Sequence, residues 1–250
     1  MSAHLASELF TPEPARGSAG MPAAQERLPF TVRPATSAEQ LAKAVAIRHR
    51  AYGRHVPSLA DQLSRPEPLD AEPGSAVLLA ESKLDGEPLG TLRIQTNRHR
   101  PLALESSVAL PRWLASRNLA EATRLGVSLG RVGHVVKTML FKAFYLYCLQ
   151  AGVEWMVITA RAPLDRMYEA LLFGDVFPGR GPVPMQHVGG IPHRVLGFEV
   201  ESAEARWRAA RHPMLGLFVH TRHPDIDLAA APAAFETPVL ETDAATALAA

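Results

Sequence analysis

An acidic and a basic side chain stand three residues apart in a mostly apolar stretch of the chain. Residues 118–127 read N-L-A-E-A-T-R-L-G-V, which surrounds Glu121 and Arg124 with small and aliphatic residues. A buried carboxylate can act as a general base, because burial raises its pKa towards neutrality. A guanidinium can orient that carboxylate, or bind a substrate carboxylate through its planar pair of donors. The pair is therefore the first candidate for proton-transfer chemistry.

The element that carries this pair is predicted to be a strand. One helix over 118–150 would contain three glycines in its interior, at positions 126, 130 and 133. Each interior glycine costs about 1 kcal/mol relative to alanine. A strand at 120–127, followed by a glycine-bearing turn and then a helix, avoids that cost.

On a regular strand, residues three apart point to opposite faces of the sheet. Glu121 and Arg124 would then not meet. One extra residue in a β-bulge reverses the alternation, and bulges are common beside active sites. We therefore expect a bulge that brings the two charges into one cleft.

The start of the following helix is a second candidate site. Gly130 and Gly133 flank Arg131 there, and Lys137 follows one turn later. Backbone N–H groups at a helix N-terminus bind phosphate, and glycine lets the phosphate come close. A tight turn or close packing explains the two glycines as well, and this alternative stays open.

The elements around these sites alternate in type. Such alternation around a mixed sheet predicts one α+β or α/β domain. The central helix is apolar nearly all round and ends before a glycine, and the strand after it reads as an inner strand. The predicted elements are a strand at 30–33, a helix from Ser37, a hairpin of 75–82 and 88–96, the strand at 120–127, a helix at 134–150, a strand at 153–160, a helix from Pro163 and a strand at 193–200.

The two ends of the chain differ from its middle in composition. Residues 1–29 and 224–250 are rich in Ala and Pro and poor in large apolar side chains, so we expect both to be disordered tails around a folded domain of residues 30–223. The sequence has neither a signal-peptide pattern nor a long uncharged apolar run. We therefore expect a cytoplasmic protein without an integral membrane segment.

Metal and thiol chemistry are not predicted. A single cysteine, Cys148, excludes a disulfide within the chain and a cysteine-built metal cluster. It lies in an apolar helix with no evident base, so we interpret it as a structural thiol. The segment H-T-R-H at 220–223 has helical metal spacing, but no third ligand is evident. We expect no metal site.

Positive charge is concentrated in residues 91–150. That segment holds nine Lys or Arg residues and two acids, Glu105 and Glu121, although the whole chain has a net charge of only +1. Such a balance favours an acidic partner, with a solvated basic face as the alternative. Aromatic residues do not interleave with the basic ones, so a nucleic-acid platform is not expected.

Four stretches, in order along the chain, resemble one known family. I-R-H-R-A-Y matches a first-helix motif through Arg48 and Tyr52, P-L-D-A-E-P-G-S matches through Asp70, G-T-L-R-I matches through Arg93, and E-A-T-R-L-G-V matches a Glu-x-x-Arg strand. The sequence thus resembles long-chain N-acyl amino acid synthases, relatives of the acyl-homoserine lactone autoinducer synthases. The resemblance covers about residues 30–200 and places all four named residues in the substrate site.

The resemblance implies a GNAT-like fold, a mixed and mostly antiparallel central sheet between helices in three α/β/α layers. It also implies transfer of a fatty acyl group from an acyl carrier protein or acyl-CoA to the α-amine of an amino acid. No cofactor would be permanently bound, because the acyl-phosphopantetheine donor is a co-substrate. The phosphopantetheine arm or its carrier would meet Gly130, Arg131, Gly133 and Lys137.

Two departures from related patterns narrow these expectations. The autoinducer synthases have a tryptophan shortly after the first-helix aromatic, where this chain reads R-H-V-P-S-L, so neither an S-adenosylmethionine pocket nor lactone formation is expected. The Q/R-x-x-G-x-G/A signature of acetyl-CoA-using GNAT enzymes is absent from V-S-L-G-R-V-G. This absence favours a carrier-protein donor. A non-catalytic acyl or carrier-binding module and an acetyl-CoA-dependent acetyltransferase remain as alternatives.

The resemblance assigns a role to each candidate. Amide formation requires a neutral amine, and Glu121 is the predicted base, acting directly or through water. Arg124 would orient Glu121 or hold the acceptor carboxylate, and Arg48 and Arg93 compete for the second role. Tyr168 lies where GNAT enzymes often keep a tyrosine near the leaving thiolate. Packing is the competing interpretation of Tyr168, since a thiol leaves well without an acid.

Overall fold

A computed structural model describes residues 24–229 of the chain. The described residues form ten strands: β1 (Ala24–Gln25), β2 (Phe30–Pro34), β3 (Ser75–Ser82), β4 (Pro88–Thr96), β5 (Leu119–Val127), β6 (Trp155–Ala160), β7 (Gly174–Asp175), β8 (Val183–Met185), β9 (Ile191–Glu199) and β10 (Thr221–Arg222). They also form six α-helices: α1 (Ala38–Gly53), α2 (Pro57–Ala60), α3 (Arg112–Ala115), α4 (Gly130–Ala151), α5 (Leu164–Ala170) and α6 (Ala203–Ala209). Every predicted element is present with ends shifted by a few residues, and the short elements β1, β7, β8, β10, α2, α3 and α6 are additional.

The middle layer of the fold is a mixed sheet. Its strand order is β2-β3-β4-β5-β6-β9-β7, and β8 pairs with β9. All neighbouring pairs in it are antiparallel except β5 and β6. The parallel pairing of β5 and β6 ends at Ala122 and Ile158, although β5 continues to Val127 and β6 to Ala160. The two central strands therefore separate towards their carboxyl ends.

Both faces of the sheet are covered by helices, as β3 illustrates. Val77 and Leu79 pack with apolar residues of α1 on one face. Leu78 and Ala80 belong to the larger core on the other face, which includes α4, α5 and α6. Since alternate residues of a strand point to opposite faces, a strand buried on both sides reads as the continuous apolar run seen here. The predicted three-layer arrangement is confirmed.

Glycine allows α1 to approach β5 closely. A Cβ added at Gly126 of β5 would lie 3.1 Å from the Cα of Arg48 and 3.1 Å from the Cβ of Ala51. Any larger residue would push the helix away from the sheet. This close contact holds Arg48 against the strand that carries Glu121 and Arg124.

The central helix α4 begins at Gly130, so the strand–turn–helix prediction for this region is correct. A Cβ added at Gly133 would lie 1.8 Å from the carbonyl oxygen of Ser128, which means that the turn into the helix requires glycine there. The helix ends at Gly152, which takes a left-handed conformation with φ of 63°. In the part of the chain that the structure describes, no helix is long and apolar enough to cross a membrane.

The predicted tails, 1–29 and 224–250, lie mostly outside the described residues. Their inner ends belong to the fold. The strand Ala24–Gln25 pairs in parallel with Thr221–Arg222, and residues 225 and 227 form backbone hydrogen bonds with β2. The described fold therefore includes residues 24–29 and 224–229, on either side of the predicted domain of residues 30–223.

A buried lysine fixes the C-terminal segment onto α4. Lys142 is 1% exposed, and its Nζ donates to the carbonyl oxygens of Leu217, at 2.6 Å, and Thr221. Nζ also lies 2.8 Å from Nδ1 of His223, a member of the H-T-R-H segment. Burial lowers the pKa of Lys142 to about 8. Lys142 and His223 thus have a structural role.

Candidate active site

Strand β5 contains one extra residue relative to β4. Arg93 pairs with Thr123 and Thr91 pairs with Gly126, so two residues of β5 face one residue of β4. Arg124 is at this irregularity and has a positive φ of 56°. A left-handed conformation costs an L-residue about 1–2 kcal/mol, so surrounding contacts must hold it. The predicted bulge is present.

The contacts that hold Arg124 come from Glu67, in the loop between α2 and β3. Glu67 accepts hydrogen bonds from Nε and Nη2 of Arg124 at 2.7 and 2.6 Å. It also accepts from Nη1 of Arg93 at 3.1 Å and from Nη1 of Arg48 at 2.9 Å. Arg48 and Arg93 in turn both donate to Asp70, at 2.9–3.2 Å. The bulge therefore turns Arg124 to the face of the sheet on which Arg93 and α1 lie.

Electrostatics keep Glu67 ionised. Burial alone would raise the pKa of Glu67, but the hydrogen bonds of Arg124 and the charges of Arg93, Arg124 and Arg48 lower it to about 2. Three guanidiniums face two carboxylates, Glu67 and Asp70, so one positive charge is left over. The network thus presents a positive field to the neighbouring cleft.

Glu121 lies on the same face but is completely buried. Its Oε2 accepts a hydrogen bond from the backbone N–H of Leu104 at 3.1 Å. Its Oε1 has no hydrogen-bond partner among the described residues and lies 3.9 Å from Nε2 of His187. Burial raises the pKa of Glu121 to about 7, although the Leu104 N–H and the charge of Arg93 oppose the shift. The carboxylate is therefore tuned to gain and lose a proton near neutral pH.

His187 stands between Glu121 and the open part of the site. Its Nε2 lies 3.2 Å from Oγ1 of Thr159, and its carbonyl oxygen accepts from Nη2 of Arg124 at 2.9 Å. Burial, and then the charge of Arg124, lower the pKa of His187 to about 4. The imidazole is therefore neutral at pH 7, which leaves one ring nitrogen with a free lone pair.

A cavity of about 480 Å³ fills the gap where β5 and β6 separate. It reaches from Tyr52, at the end of α1 on one face of the sheet, to Lys137 of α4 and Tyr168 of α5 on the opposite face. An extended chain could thus pass between the strands. The charged lining residues that the structure describes are all basic: Arg54, Arg124, Lys137 and Arg161, with His55, His187 and His193 beside them. The apolar walls include Val56, Leu59, Ala122, Leu125, Val127, Leu164, Met167, Val188 and Ile191.

Four of the residues predicted from the sequence line this cavity: Tyr52, Arg124, Lys137 and Tyr168. Tyr168 is 5% exposed and packs edge-on against Phe141 and Phe173, with ring centroids at 6.0 and 5.5 Å. Burial raises the pKa of its phenol above the ordinary value. Tyr168 therefore has a packing role and also presents a neutral side chain to the cavity.

Other predicted residues lie elsewhere. Arg48 and Arg93 are 1% exposed, pair with carboxylates and lie outside the cavity lining, so neither is placed to hold a substrate carboxylate. Asp70 belongs to the same buried network. The expectation that Glu121 opens directly onto the cleft is also wrong, because His187 separates them.

The predicted phosphate site lies at the start of α4. Gly130 and Arg131 are exposed, Gly133 is buried, and none of the three lines the cavity, unlike Lys137. Gly133 is explained by its close approach to Ser128. The packing alternative therefore accounts for Gly133. Gly130 has a positive φ of 78°, so the tight-turn alternative accounts for it, although an added Cβ would meet no atom within 4 Å.

The basic segment 91–150 does not form one surface. Arg93, Arg124 and Lys142 are buried, and Arg117 pairs with Glu154 away from the cavity. The segment therefore supplies only part of the positive charge at the cavity, and Arg54 and Arg161 supply the rest. A count of charges along the sequence overestimates the basic face, because it does not separate buried guanidiniums from exposed ones.

The residues of the site that were not predicted from the sequence include Glu67, Thr159 and His187. Glu67 had one signal, because it stands three residues before Asp70 in E-P-L-D and caps the turn there. Thr159 lies at the end of the inner strand β6. His187 is 63 residues from Arg124, and nothing in the surrounding Q-H-V-G-G marks it.

Comparison with known proteins identifies the family. Residues 43–192, more than half of the chain, match the family described as N-acyl amino acid synthase FeeM. The chain belongs to this family. This synthase is therefore an acyltransferase, as predicted. The family also implies an acyl thioester donor and an amino acid acceptor.

Solved structures show the same fold. FeeM, an N-acyl amino acid synthase from uncultured soil microbes, superposes on this synthase with a TM-score of 0.60 at 16% identity, over 73% of this chain and 96% of its own. BjaI, a CoA-dependent acyl-homoserine lactone synthase solved with SAM and isopentyl-CoA, gives a TM-score of 0.53 at 15% identity, over 82% and 97%. The predicted GNAT-like fold is confirmed. None of the curated protein sequences compared with this synthase is significantly similar to it.

Proposed function

We propose that this synthase transfers a fatty acyl group from an acyl carrier protein to the α-amine of a free amino acid. The observation that carries the proposal is the cavity between β5 and β6, which passes through the sheet and combines apolar walls with charges that are all basic among the residues 24–229. An acyl thioester is long and apolar at one end, and its phosphopantetheine arm is anionic at the other. Such a gap fits both ends of the donor.

The reaction needs a positioned carbonyl and a neutral amine. Since β5 continues to Val127 beyond its last pairing with β6 at Ala122, its edge faces the cavity there. Backbone N–H groups on that edge can polarise the thioester carbonyl. The amine nitrogen attacks the carbonyl carbon, a C–N bond forms and the C–S bond breaks. Of the two protons that the ammonium loses, one goes to a base and one to the departing thiolate.

The acceptor carboxylate has candidate partners in the cavity wall. Arg124 lines the cavity and its Nη1 is buried without a hydrogen-bond partner among the described residues. A buried donor left unpaired costs about 1–3 kcal/mol, which a bound carboxylate would recover. Arg161 also lines the cavity, and its Nη2 donates to the carbonyl oxygen of His55. These two guanidiniums therefore replace Arg48 and Arg93 in the proposed role.

A surface beside the cavity supports a carrier protein as the donor. Leu129, Val132 and Val135, spaced three residues apart at the start of α4, are 71%, 51% and 47% exposed. Arg131 lies among them, and Lys137 joins them to the cavity. We call these five residues the α4 entrance surface. Acidic carrier proteins offer complementary charge, and contacts of this kind require a protein partner, which CoA does not provide.

The test compares donors and acceptors directly. Purified synthase is incubated with one long-chain acyl group on carrier protein or on CoA, together with a mixture of amino acids, and products are identified by mass spectrometry. We expect N-acyl amino acids, with a higher kcat/KM for the carrier donor. Equal use of acyl-CoA would contradict the carrier assignment, and no product from either donor would contradict the acyl transfer.

A substitution on the α4 entrance surface separates the two donors. Val132→Glu should lower kcat/KM for acyl carrier protein about tenfold or more, since about 1.4 kcal/mol of binding energy corresponds to a factor of ten. It should leave kcat/KM for acyl-CoA unchanged. The matched control is Arg33→Glu, which introduces an acid on the exposed face of edge strand β2, at the far side of the sheet. An equal loss with both donors would place the effect in the cavity itself.

A further inference from the structure

The residue expected to act as base does not form part of the cavity wall, whereas a neighbouring histidine does. Glu121 is 0% exposed and is not part of the cavity lining. His187 lines the cavity, and its Nε2 lies 3.9 Å from Oε1 of Glu121. A general base must come within hydrogen-bond reach of the proton that it removes. The imidazole therefore offers a route for a proton between the acceptor amine and Glu121.

The carboxylate near His187 favours the tautomer with the proton on Nε2. Glu121 and the hydroxyl of Thr159 both face Nε2, and a neighbouring carboxylate favours a proton on that nitrogen. The lone pair then lies on Nδ1, which is buried and has no hydrogen-bond partner among the described residues. A buried polar atom without a partner requires an explanation, and a catalytic role is one of the known explanations. A donor group of the substrate would satisfy this atom.

We propose that His187 is the catalytic base that meets the acceptor amine, and that Glu121 is a positioning residue behind it. This inference rests on the proposed transfer of an acyl group to an amine. The residue that removes the proton from the acceptor amine is then His187, which lies 66 positions after Glu121 in the sequence. The arrangement shares one feature with the catalytic triad of serine hydrolases: a buried carboxylate orients an imidazole and stabilises its charged form.

The acceptor ammonium loses two protons during the reaction, and each has a defined acceptor. The acceptor ammonium gives one proton to Nδ1 of His187, and its freed lone pair attacks the thioester carbonyl carbon. When the C–S bond breaks, the second amine proton neutralises the thiolate, so an amide and a thiol leave the site. The imidazolium, held with Nε2–H towards Glu121, then releases its proton to solvent.

Several charged groups surround the imidazole and set its basicity. In the empty site, burial and the positive groups Arg124, His193 and Arg93 oppose protonation, while Glu67 favours it. An acceptor carboxylate bound to Arg124 would cancel much of the charge of that guanidinium. His187 would then become a stronger base in the presence of the acceptor. The groups that face it are Glu121 and Arg124 on β5, Arg93 on β4, Thr159 on β6, His193 on β9 and Glu67 in the loop before β3.

Variants of His187 test the assignment. General base catalysis contributes about 10²–10⁴-fold, so His187→Gln and His187→Ala should each lower kcat at least a hundredfold. Free imidazole should restore part of the activity of His187→Ala, an effect that a purely structural role would not produce. The matched control, His99→Gln, changes an exposed histidine outside the cavity lining and should keep wild-type rates. A His187→Gln enzyme as active as wild type would overturn the inference.

The pH profile tests Glu121 independently of any His187 variant. The rate of the wild type should fall as pH drops through about 7, where Glu121 gains a proton. In Glu121→Gln this limb should be absent and the plateau should be lower. An unchanged profile would overturn the role of Glu121. Absence of product from the wild type would instead count against the proposed function, so the two failures are distinguishable.

Discussion

The buried carboxylate of Glu121 should make the folded state less stable as pH rises. The pKa of this group is raised from 4.5 to about 7 by burial. Between these two values the folded chain holds a proton that the unfolded chain has already lost. Stability rises with pH only where the unfolded state binds more protons, so here it falls as pH increases through about 7. Glu121→Gln removes this dependence, because glutamine is similar in shape and does not ionise.

The size of the effect follows from the pKa shift. One pKa unit corresponds to about 1.4 kcal/mol, so the full shift is worth about 3 kcal/mol, of which about 2.5 kcal/mol develops between pH 5 and pH 8. No discount for solvent is needed, since the side chain is 0% exposed. Glu121→Gln should therefore gain about 2.5 kcal/mol over the wild type on going from pH 5 to pH 8.

Urea denaturation at several pH values measures this difference. The free energy of unfolding is determined for wild type, Glu121→Gln and the control Glu201→Gln, which changes an exposed carboxylate. The control should follow the wild type at every pH. If the difference between Glu121→Gln and wild type stayed constant from pH 5 to pH 8, the raised pKa of Glu121 and the pH dependence of the rate derived from it would both be refuted.

Three further predictions concern the surroundings of the site. Glu67→Gln should lower stability at pH 7 by about 2 kcal/mol, after allowance for partial exposure, and the loss should shrink as pH falls from about 4.5 towards 2, as urea denaturation at pH 7 and pH 3 can measure. Gly133→Ala should cost about 1–3 kcal/mol or more, because its Cβ would overlap the carbonyl of Ser128; thermal unfolding checks this, and an unchanged melting temperature would disprove the tight turn. Cys148 is 0% exposed and burial raises its pKa, so a thiol reagent should label it only after denaturant is added; rapid labelling of the native protein would contradict the burial.

Much of the local structure was predictable because it depends on short-range signals. The glycines after residue 126 separate strand β5 from helix α4, and the observed boundary lies at Gly130. The bulge at Arg124 was predictable because two charges three residues apart cannot otherwise share one face. The hairpin of β3 and β4 turns at Asp85-Gly86, where Gly86 has a φ of 72°. In each case a few adjacent residues determine the backbone.

The partners within the site were not predictable in the same way. Glu67 binds three arginines from three different elements, at separations of 19, 26 and 57 residues. His187 reaches Glu121 only because β9 and the turn before it pack beside β6. These contacts depend on how distant elements come together, and a single sequence does not record that. The sequence therefore indicated which charges belong to the site, but not which of them face the substrate.

A crystal structure with an N-acyl amino acid product would test the location of the active site most directly. The acyl chain should occupy the gap between β5 and β6, with the amide beside His187 and the product carboxylate on Arg124 or Arg161. A product found in another place, such as the groove beside Trp113 and Trp155, would contradict this location.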